Sequence, residues 1–185
     1  MQLMKWVTAA ALLVSALASG ADEPRDEPRL AINLHVYAQV EIARPASTVW
    51  PLIVDTNSWK PDRPMVHRAG PVGQLGEVSA IVSTQHPGQV WFLAENVELV
   101  PNQRRTIKLL DLKGNLLGFA SWGLMEQGGR TLIDYQIHAE SRVAPEQKLT
   151  AAQVAEQQRN GYAVNKQRVD DELAELKRRL ESGTK

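Results

Sequence analysis

The chain has 185 residues, of which 43% are hydrophobic and 23% charged, a composition typical of one globular domain with a buried core. Lysine plus arginine and aspartate plus glutamate number 21 each, so the charge indicates no surface for nucleic acid or for an anionic membrane. Cysteine is absent, which excludes disulfide bonds, thiol catalysis and thiolate metal sites.

The first 21 residues have the pattern of a secretory signal peptide. Lys5 precedes an apolar stretch over residues 7–17, and small residues between positions 16 and 21 offer cleavage sites. The alternative is an uncleaved membrane anchor, but the apolar stretch is about half of the roughly 20 residues that span a bilayer. We therefore expect a cleaved leader, no membrane-spanning segment in the mature protein, and a location in the periplasm or outside the cell.

Residues 22–29 read DEPRDEPR, a four-residue unit that occurs twice. Charged residues and proline bury no apolar surface, so this segment is predicted to be an extended linker. A docking motif is the alternative interpretation. The folded domain is expected to cover residues 30–182.

Alternation of apolar and polar residues over positions 30–42 predicts a long strand with one solvated face. Glycine-containing and proline-containing turns then recur at regular intervals. They separate further predicted strands at residues 77–84, 90–100, 104–111, 116–126 and 130–142. The last strand alternates like the first, which indicates an antiparallel meander with one face that must be covered.

The end of the chain predicts the element that covers this face. From Thr150, a plausible N-cap, to Glu181 there is no proline and a single glycine, Gly161. Apolar residues recur at helical spacing in this segment, Val169 and Leu173 among them. We therefore predict a long amphipathic helix across the sheet.

Residues 44–64, RPASTVWPLIVDTNSWKPDRP, combine apolar residues with structure breakers. We predict a helix here that begins near Pro45 and closes one end of the curled sheet, with an early kink or a tight first turn at Pro51, and we call it the plug. Trp50 and Leu52 are expected to be its buried residues, while Trp59 lies in a loop as part of the plug or as a lid. On this basis Trp50→Ala should cost about 3 to 5 kcal/mol of stability and Trp59→Ala far less.

Five segments together carry a resemblance to a known superfamily. They are VEIARPASTVWPLIVDTNSW, GPVGQLGEVSAIV, ENVELVPNQRRTIKL, GFASWGLMEQGGRTLIDYQI and LAELKRRLES. Their order resembles the START-like (SRPBCC) superfamily of polyketide cyclases, dehydrases and lipid transporters, over about residues 30–181. Residues 143–161 depart from this pattern, since they form a longer lead into the last helix, which either extends that helix or forms a separate short one.

The resemblance implies an α+β helix-grip fold. In this fold a curved seven-stranded antiparallel sheet wraps a long C-terminal helix, two short helices lie between strands 1 and 2, and an apolar cavity separates sheet from helix. Members hold lipids, sterols, plant hormones or polyketides, and only some catalyse a reaction. No catalytic motif is shared among them, so the resemblance assigns no catalytic residue.

Aromatic residues are the best candidates for the wall of such a cavity, because rigid rings give shape and contact area at little entropic cost. The candidates are Trp59, Trp91, Trp122, Tyr135 and Tyr162, and the alternative for each is packing in the core. In a regular strand either Trp91 or Phe92 must face away from the cavity.

Ionisable residues are weaker candidates for a cavity acid or base. They are Glu95, Asp111, His67 and Arg105, for which salt bridges and solvated faces are the alternative. The four histidines show no metal-ligand spacing, so neither a metal nor another cofactor is predicted.

The first functional hypothesis is an exported binding protein, a monomer or weak dimer, that holds a hydrophobic small molecule or lipid without chemistry of its own. The alternative is a cyclase, aromatase or dehydrase in which a cavity acid or base enolises a bound polyketone. A groove that binds a partner protein is a third. Export favours the first, since polyketide intermediates normally travel on cytoplasmic carrier proteins.

Overall fold

The computed structural model describes residues 31–60, 64–84, 86, 88–142 and 149–183. The predicted signal peptide and linker, and residues 143–148 of the lead into the last helix, lie outside these ranges. No helix within them is both long enough and apolar enough to cross a membrane.

Seven antiparallel strands form one sheet in the order β1-β7-β6-β5-β4-β3-β2. The strands are β1 (Ala31–Ile42), β2 (Met65–Ala69), β3 (Val78–Val82), β4 (Val90–Val100), β5 (Arg104–Leu110), β6 (Leu116–Gln127) and β7 (Arg130–Arg142). Helix α1 (Ala46–Val54) and a short 3₁₀ helix (Thr56–Ser58) lie between β1 and β2, and helix α2 (Ala151–Glu181) ends the fold. The predicted helix-grip architecture is confirmed.

The alternation in β1 and β7 produces a dry and a wet face. Val36 on β1 pairs with Ile137 on β7, and both are buried, whereas the neighbouring pair His35 and His138 is exposed. Because facing residues of paired strands point to the same side of a sheet, the two apolar rows form one continuous surface. This surface is the floor of the core.

Strand β2 is the element that alternation does not predict. It is five residues long, lies at the edge of the sheet and is mostly exposed, so it has no apolar row. Gly70 follows the strand with a φ of +76°, and a Cβ there would lie 2.2 Å from the carbonyl oxygen of Gly76. Only glycine fits this turn.

Helix α2 begins where the sequence predicts. Thr150 is its N-cap, and the Thr150 hydroxyl and the Gln153 side chain form a capping box. Val169, Leu173 and Leu176 are buried against the sheet. The capped start shows that the helix extends back to Ala151 as one piece.

The C-terminal end of α2 is attached to the far end of β1. Lys177 Nζ donates to the carbonyl of Glu41 at 2.8 Å, and Glu181 accepts from the backbone N–H of Ala43 at 2.8 Å. Gln158, near the N-terminal end of α2, lies 23 residues before Glu181. This separation is roughly 34 Å along the helix axis. The first turns of α2 therefore lie toward the start of β1, away from α1.

Helix α1 forms the predicted plug, but the residues that it buries differ from the prediction. Val49 and Ile53 are fully buried, whereas Trp50 and Leu52 are partly buried. Trp59 is 2% exposed. The reason is the helical period, since positions 46, 49 and 53 face inward together and position 50 lies at the edge of that face.

Trp59 belongs to the plug and is no lid. Its indole Nε1 donates to the carbonyl of Leu52 at 2.7 Å, so the ring packs against the last turn of α1. Pro51 does not end the helix, because the N–H of Asp55 donates to the Pro51 carbonyl at 2.9 Å. The 3₁₀ helix carries the chain from α1 to Trp59.

The sheet holds α1 at both ends. The carboxylate of Glu126 accepts from the N–H of Ala46 at 2.8 Å, and Arg105 donates to the carbonyls of Ile53 and Val54 at 2.5 and 3.1 Å. An anion at the N-terminus and a cation at the C-terminus of a helix both match its dipole. The position of α1 is therefore set by hydrogen bonds as well as by apolar packing.

Candidate functional site: an internal cavity

A cavity of about 360 Å³ lies between the concave face of the sheet and α2. Its wall is formed by Ile32, Leu34, Thr56, Lys60, Met65, Ile81, Phe92, Ile107, Leu109, Leu117, Ala120, Trp122, Tyr135, Ile137, Ala139, Glu140, Gln158, Gly161, Asn165, Arg168 and Glu172. The volume is at the lower end of the range for small-molecule sites, about 300 to 1,000 Å³.

The sheet side of this cavity is mostly apolar because alternate residues of the strands face it. On β5, Ile107 and Leu109 face the cavity, and on β7, Tyr135 and Ile137 do so. Lysine 108, between the first two, is on the opposite face and pairs with Glu95. The wall is thus a direct product of the period-two pattern.

The helix side of the cavity is polar. Gln158, Gly161, Asn165, Arg168 and Glu172 line it at intervals of three and four residues, a spacing that places them on one face of α2. The ligand space is therefore bounded by an apolar sheet and a polar helix stripe. The apolar spacing that predicts α2 does not reveal this polar stripe, although the three-four spacing of its residues is visible in the chain.

Gly161 widens the cavity. A Cβ built there meets nothing within 4 Å, and the residue has ordinary helical backbone. Glycine inside a helix costs about 1 kcal/mol relative to alanine, so the fold gains no stability from it. Its effect is to leave open volume beside the sheet.

One end of the cavity carries an ion cluster, made of Lys60, Arg168 and Glu172. Arg168 donates to Glu172 Oε1 at 2.6 Å, and Lys60 donates to Glu172 Oε2. Arg168 also donates to Asn165 Oδ1 at 3.1 Å. Since Lys60 follows the plug directly, the cluster joins α2 to the α1 end of the cavity.

Aromatic rings surround the Lys60 ammonium. Trp122 stacks on Tyr135 with centroids 4.6 Å apart, and Lys60 Nζ lies 4.5 Å from the Trp59 ring and 5.5 Å from the Tyr135 ring. These distances are within the range of cation–π attraction. The Lys60 ammonium is therefore held by aromatic rings as well as by Glu172.

Arg105, one of the four ionisable candidates, lies behind this wall. It is 3% exposed, donates to Asn96 Oδ1 at 3.0 Å, and its guanidinium is 5.5 Å from the Trp122 ring. Burial lowers the pKa of Arg105 to about 10, partly offset by Glu77, Tyr135 and Asp55. It remains charged at neutral pH and acts as the structural anchor of α1.

The other three ionisable candidates do not line the cavity. Glu95 pairs with Lys108, His67 lies 3.4 Å from a Glu77 oxygen, and Asp111 accepts hydrogen bonds from Asn115, which lower the Asp111 pKa. Within the described ranges no three His, Asp or Glu side chains are grouped so that they could hold a metal ion.

Of the five aromatic candidates, the structure places Trp122 and Tyr135 in the cavity wall. The other three lie elsewhere. Trp59 is buried in the plug, Trp91 is 38% exposed on the convex face while Phe92 lines the cavity, and Tyr162 is 46% exposed on α2. Successive residues of an α-helix are rotated by about 100° about its axis, so Tyr162 points away from the sheet while Gly161 faces it. The spacing of the apolar residues alone does not reveal this orientation.

The carboxylate of Glu172 makes the stability of the cavity end depend on pH. Burial by itself raises the Glu172 pKa, but the charges and hydrogen bonds of Lys60 and Arg168 lower it below its ordinary value of 4.5. A carboxyl with a lowered folded-state pKa contributes stability above the ordinary value, and this contribution is lost as the pH falls through the folded-state pKa.

We expect Glu172→Gln to be less stable than the parent at neutral pH, and the difference to shrink as the pH falls below 4.5. Urea unfolding across this range measures the difference. Glu156→Gln, at an exposed position of the same helix, is the control and should show no comparable difference. A Glu172→Gln difference that stays constant with pH would contradict this account.

Comparison with known proteins reveals similarity at the level of structure. No protein-family model matches the chain, and no curated protein matches it in sequence. TTHA0849 from Thermus thermophilus has a TM-score of 0.60 at 16% identity, over 82% of this chain and 99% of its own. The Zhui aromatase/cyclase from a Streptomyces species gives 0.58 at 18%, over 82% and 98%.

Aha1 from Colwellia psychrerythraea, solved as a dimer, has a TM-score of 0.55 at 13% identity, over 82% of this chain and 99% of that one. Identities this low establish the fold alone. The order of elements, the sheet that covers α2 and these similarities agree: the chain has the helix-grip fold.

Proposed function

We propose that this protein is an exported binding protein that holds a hydrophobic small molecule or single-chain lipid in its cavity without changing it. The observation that carries the proposal is the cavity of about 360 Å³ with an apolar sheet wall. Burying apolar ligand surface against such a wall is favourable by about 25 cal/mol per Å². Export is inferred from the signal-peptide pattern of residues 1–21.

The chemistry of the wall supports binding over catalysis. A general base needs a carboxylate or imidazole that is free to take a proton. Glu172 is held by two cations, and its pKa is lowered, which makes it a weak base. Glu140 lines the opposite, solvent-exposed end of the cavity, and none of the lining residues is a histidine.

Native mass spectrometry of the mature protein, purified from its own host, tests the proposal. The expected result is the mass of a chain without residues 1–21, together with the mass of a bound compound that is released on unfolding. A compound recovered in chemically altered form after incubation would instead support the cyclase or dehydrase alternative. A protein that retains its first 21 residues would contradict export.

Gly161→Leu should block the cavity without unfolding the protein. The new side chain occupies open space beside the sheet, so binding of an apolar fluorophore should fall about tenfold or more, since about 1.4 kcal/mol of lost contact is sufficient. Stability should rise by about 0.5 to 1 kcal/mol from helix propensity.

Fluorophore titration and urea unfolding measure both effects. Ala163→Leu is the matched control, because position 163 is exposed two residues further along α2 and does not line the cavity. If Gly161→Leu bound the fluorophore as well as Ala163→Leu does, the ligand site would lie outside this cavity.

A further inference from the structure

We propose that the ligand carries a carboxylate, which binds at the ion-cluster end of the cavity while the apolar body lies against the sheet. The inference rests on the proposed function, and it adds the chemical class of the ligand. The carboxylate is inferred from two features of this end of the cavity: hydrogen-bond donors exceed the available acceptors, and the local charge is positive.

Two buried donors on lining side chains have no acceptor among the described residues. They are the indole Nε1 of Trp122 and the Nε of Arg168. Trp122 is 3% exposed, and its Nε1 is buried from solvent. A third lining donor, the hydroxyl of Thr56, donates to the sulfur of Met65 at 3.2 Å, and a thioether is a weak acceptor.

The carboxylate and amide acceptors at the same end are already engaged. Glu172 accepts from Arg168 on one oxygen and from Lys60 on the other, and Asn165 Oδ1 accepts from Arg168. A ligand hydroxyl or amine would have to share an oxygen that already accepts from a cationic side chain. A ligand oxygen that only accepts would pair with donors that are available.

The charge of this end favours an anion over a neutral carbonyl. Lys60 and Arg168 oppose the single carboxylate of Glu172, and Arg105 lies behind the Trp122 ring. The other carboxylate of the wall, Glu140, is five residues beyond Tyr135 on β7, roughly 17 Å away along the strand. Bonds between an anion and charged donors are the stronger kind.

The two unpartnered N–H groups are closed to water in this structure. A ligand oxygen can bond to these N–H groups only after the Trp122 and Arg168 side chains shift slightly. Side-chain shifts of this kind are a common response to binding. Because an unpaired buried donor is costly, pairing it on binding favours the liganded state. The expected signature is a change at the Trp122 indole itself.

The cavity volume selects a small acid as the probe. About 360 Å³ corresponds to about twelve water molecules at roughly 30 Å³ each. Decanoic acid has a comparable number of non-hydrogen atoms, and decanol is its neutral counterpart with the same chain. The affinities of the two compounds are measured by competition with N-phenyl-naphthylamine, a neutral apolar fluorophore, at a pH well above the pKa of the acid.

We expect decanoate to bind about tenfold or more tightly than decanol. Arg168→Met should remove most of this preference, whereas Arg159→Met, which removes the same charge from an exposed position of α2, should leave it intact. In heteronuclear NMR of the unmodified protein, the Trp122 indole N–H signal should move downfield with decanoate and much less with decanol. Trp122→Phe serves only to assign that signal.

The outcomes separate the two proposals. Equal affinities for the acid and the alcohol, or a Trp122 signal that decanoate leaves in place, would overturn the carboxylate inference and leave the binding function standing. Failure of the fluorophore, the acid and the alcohol to bind at all would overturn the binding function.

Discussion

Arg105→Met is expected to lower the free energy of unfolding by about 3 to 5 kcal/mol. The guanidinium is 3% exposed and donates to the carbonyls of Ile53 and Val54 and to Asn96 Oδ1. A methionine fills a similar volume but leaves these acceptors without their donor, and each such loss costs about 1 to 3 kcal/mol. Urea unfolding at neutral pH, where Arg105 is charged, measures the loss.

Two further variants show whether the several N–H donors of the Arg105 guanidinium or its charge alone provide this stability. Arg104→Met changes the exposed neighbour on the same strand and should alter stability by no more than about 0.5 kcal/mol. Arg105→Lys retains a charge but cannot reach several acceptors at once, so it should remain well below the parent. A loss under about 1 kcal/mol for Arg105→Met would show that the Arg105 hydrogen bonds do not hold the C-terminal end of α1 in place.

Trp59→Ala is expected to cost about 3 to 5 kcal/mol, and Trp50→Ala about 1 to 2 kcal/mol. This order is the reverse of the sequence-based expectation. Trp59 is 2% exposed, and its Nε1 is bonded to the Leu52 carbonyl at 2.7 Å, so truncation leaves both a void and an unpaired acceptor. Trp50 keeps part of its ring in solvent.

The two substitutions are identical in chemistry, so each serves as the control for the other. Urea unfolding of both variants with a common baseline gives the comparison. Equal losses, or a larger loss for Trp50→Ala, would mean that the inner face of α1 is rotated from the one described, with Val49 no longer at its centre.

Local pattern was sufficient for most of the secondary structure. The predicted strand limits of residues 90–100 and 130–142 match β4 and β7, and Thr150 is the N-cap of α2 as predicted. These features are encoded within a few residues, by a period of two, by turn glycines and by a capping box. Strand β2 was not predictable in this way, because an exposed edge strand has no apolar row.

The inner face of the plug was decided by packing rather than by composition. Residues 49–54 contain four apolar side chains besides Trp50, and the sequence does not state which of them turns inward. The orientation of α1 is set by Arg105 on β5 and Glu126 on β6, which hydrogen-bond to its two ends. A helix fixed at both ends has one allowed rotation.

By itself the sequence determined the strands other than β2, the alternation that makes one sheet face apolar, and the long amphipathic helix that covers it. Only the tertiary structure decided which residues form the cavity. Lys60 and Glu172 are 112 residues apart, and neither stands out among the charges of the chain. They meet because the sheet brings α2 back across the plug, and contacts between such distant positions leave no periodic signal in the chain.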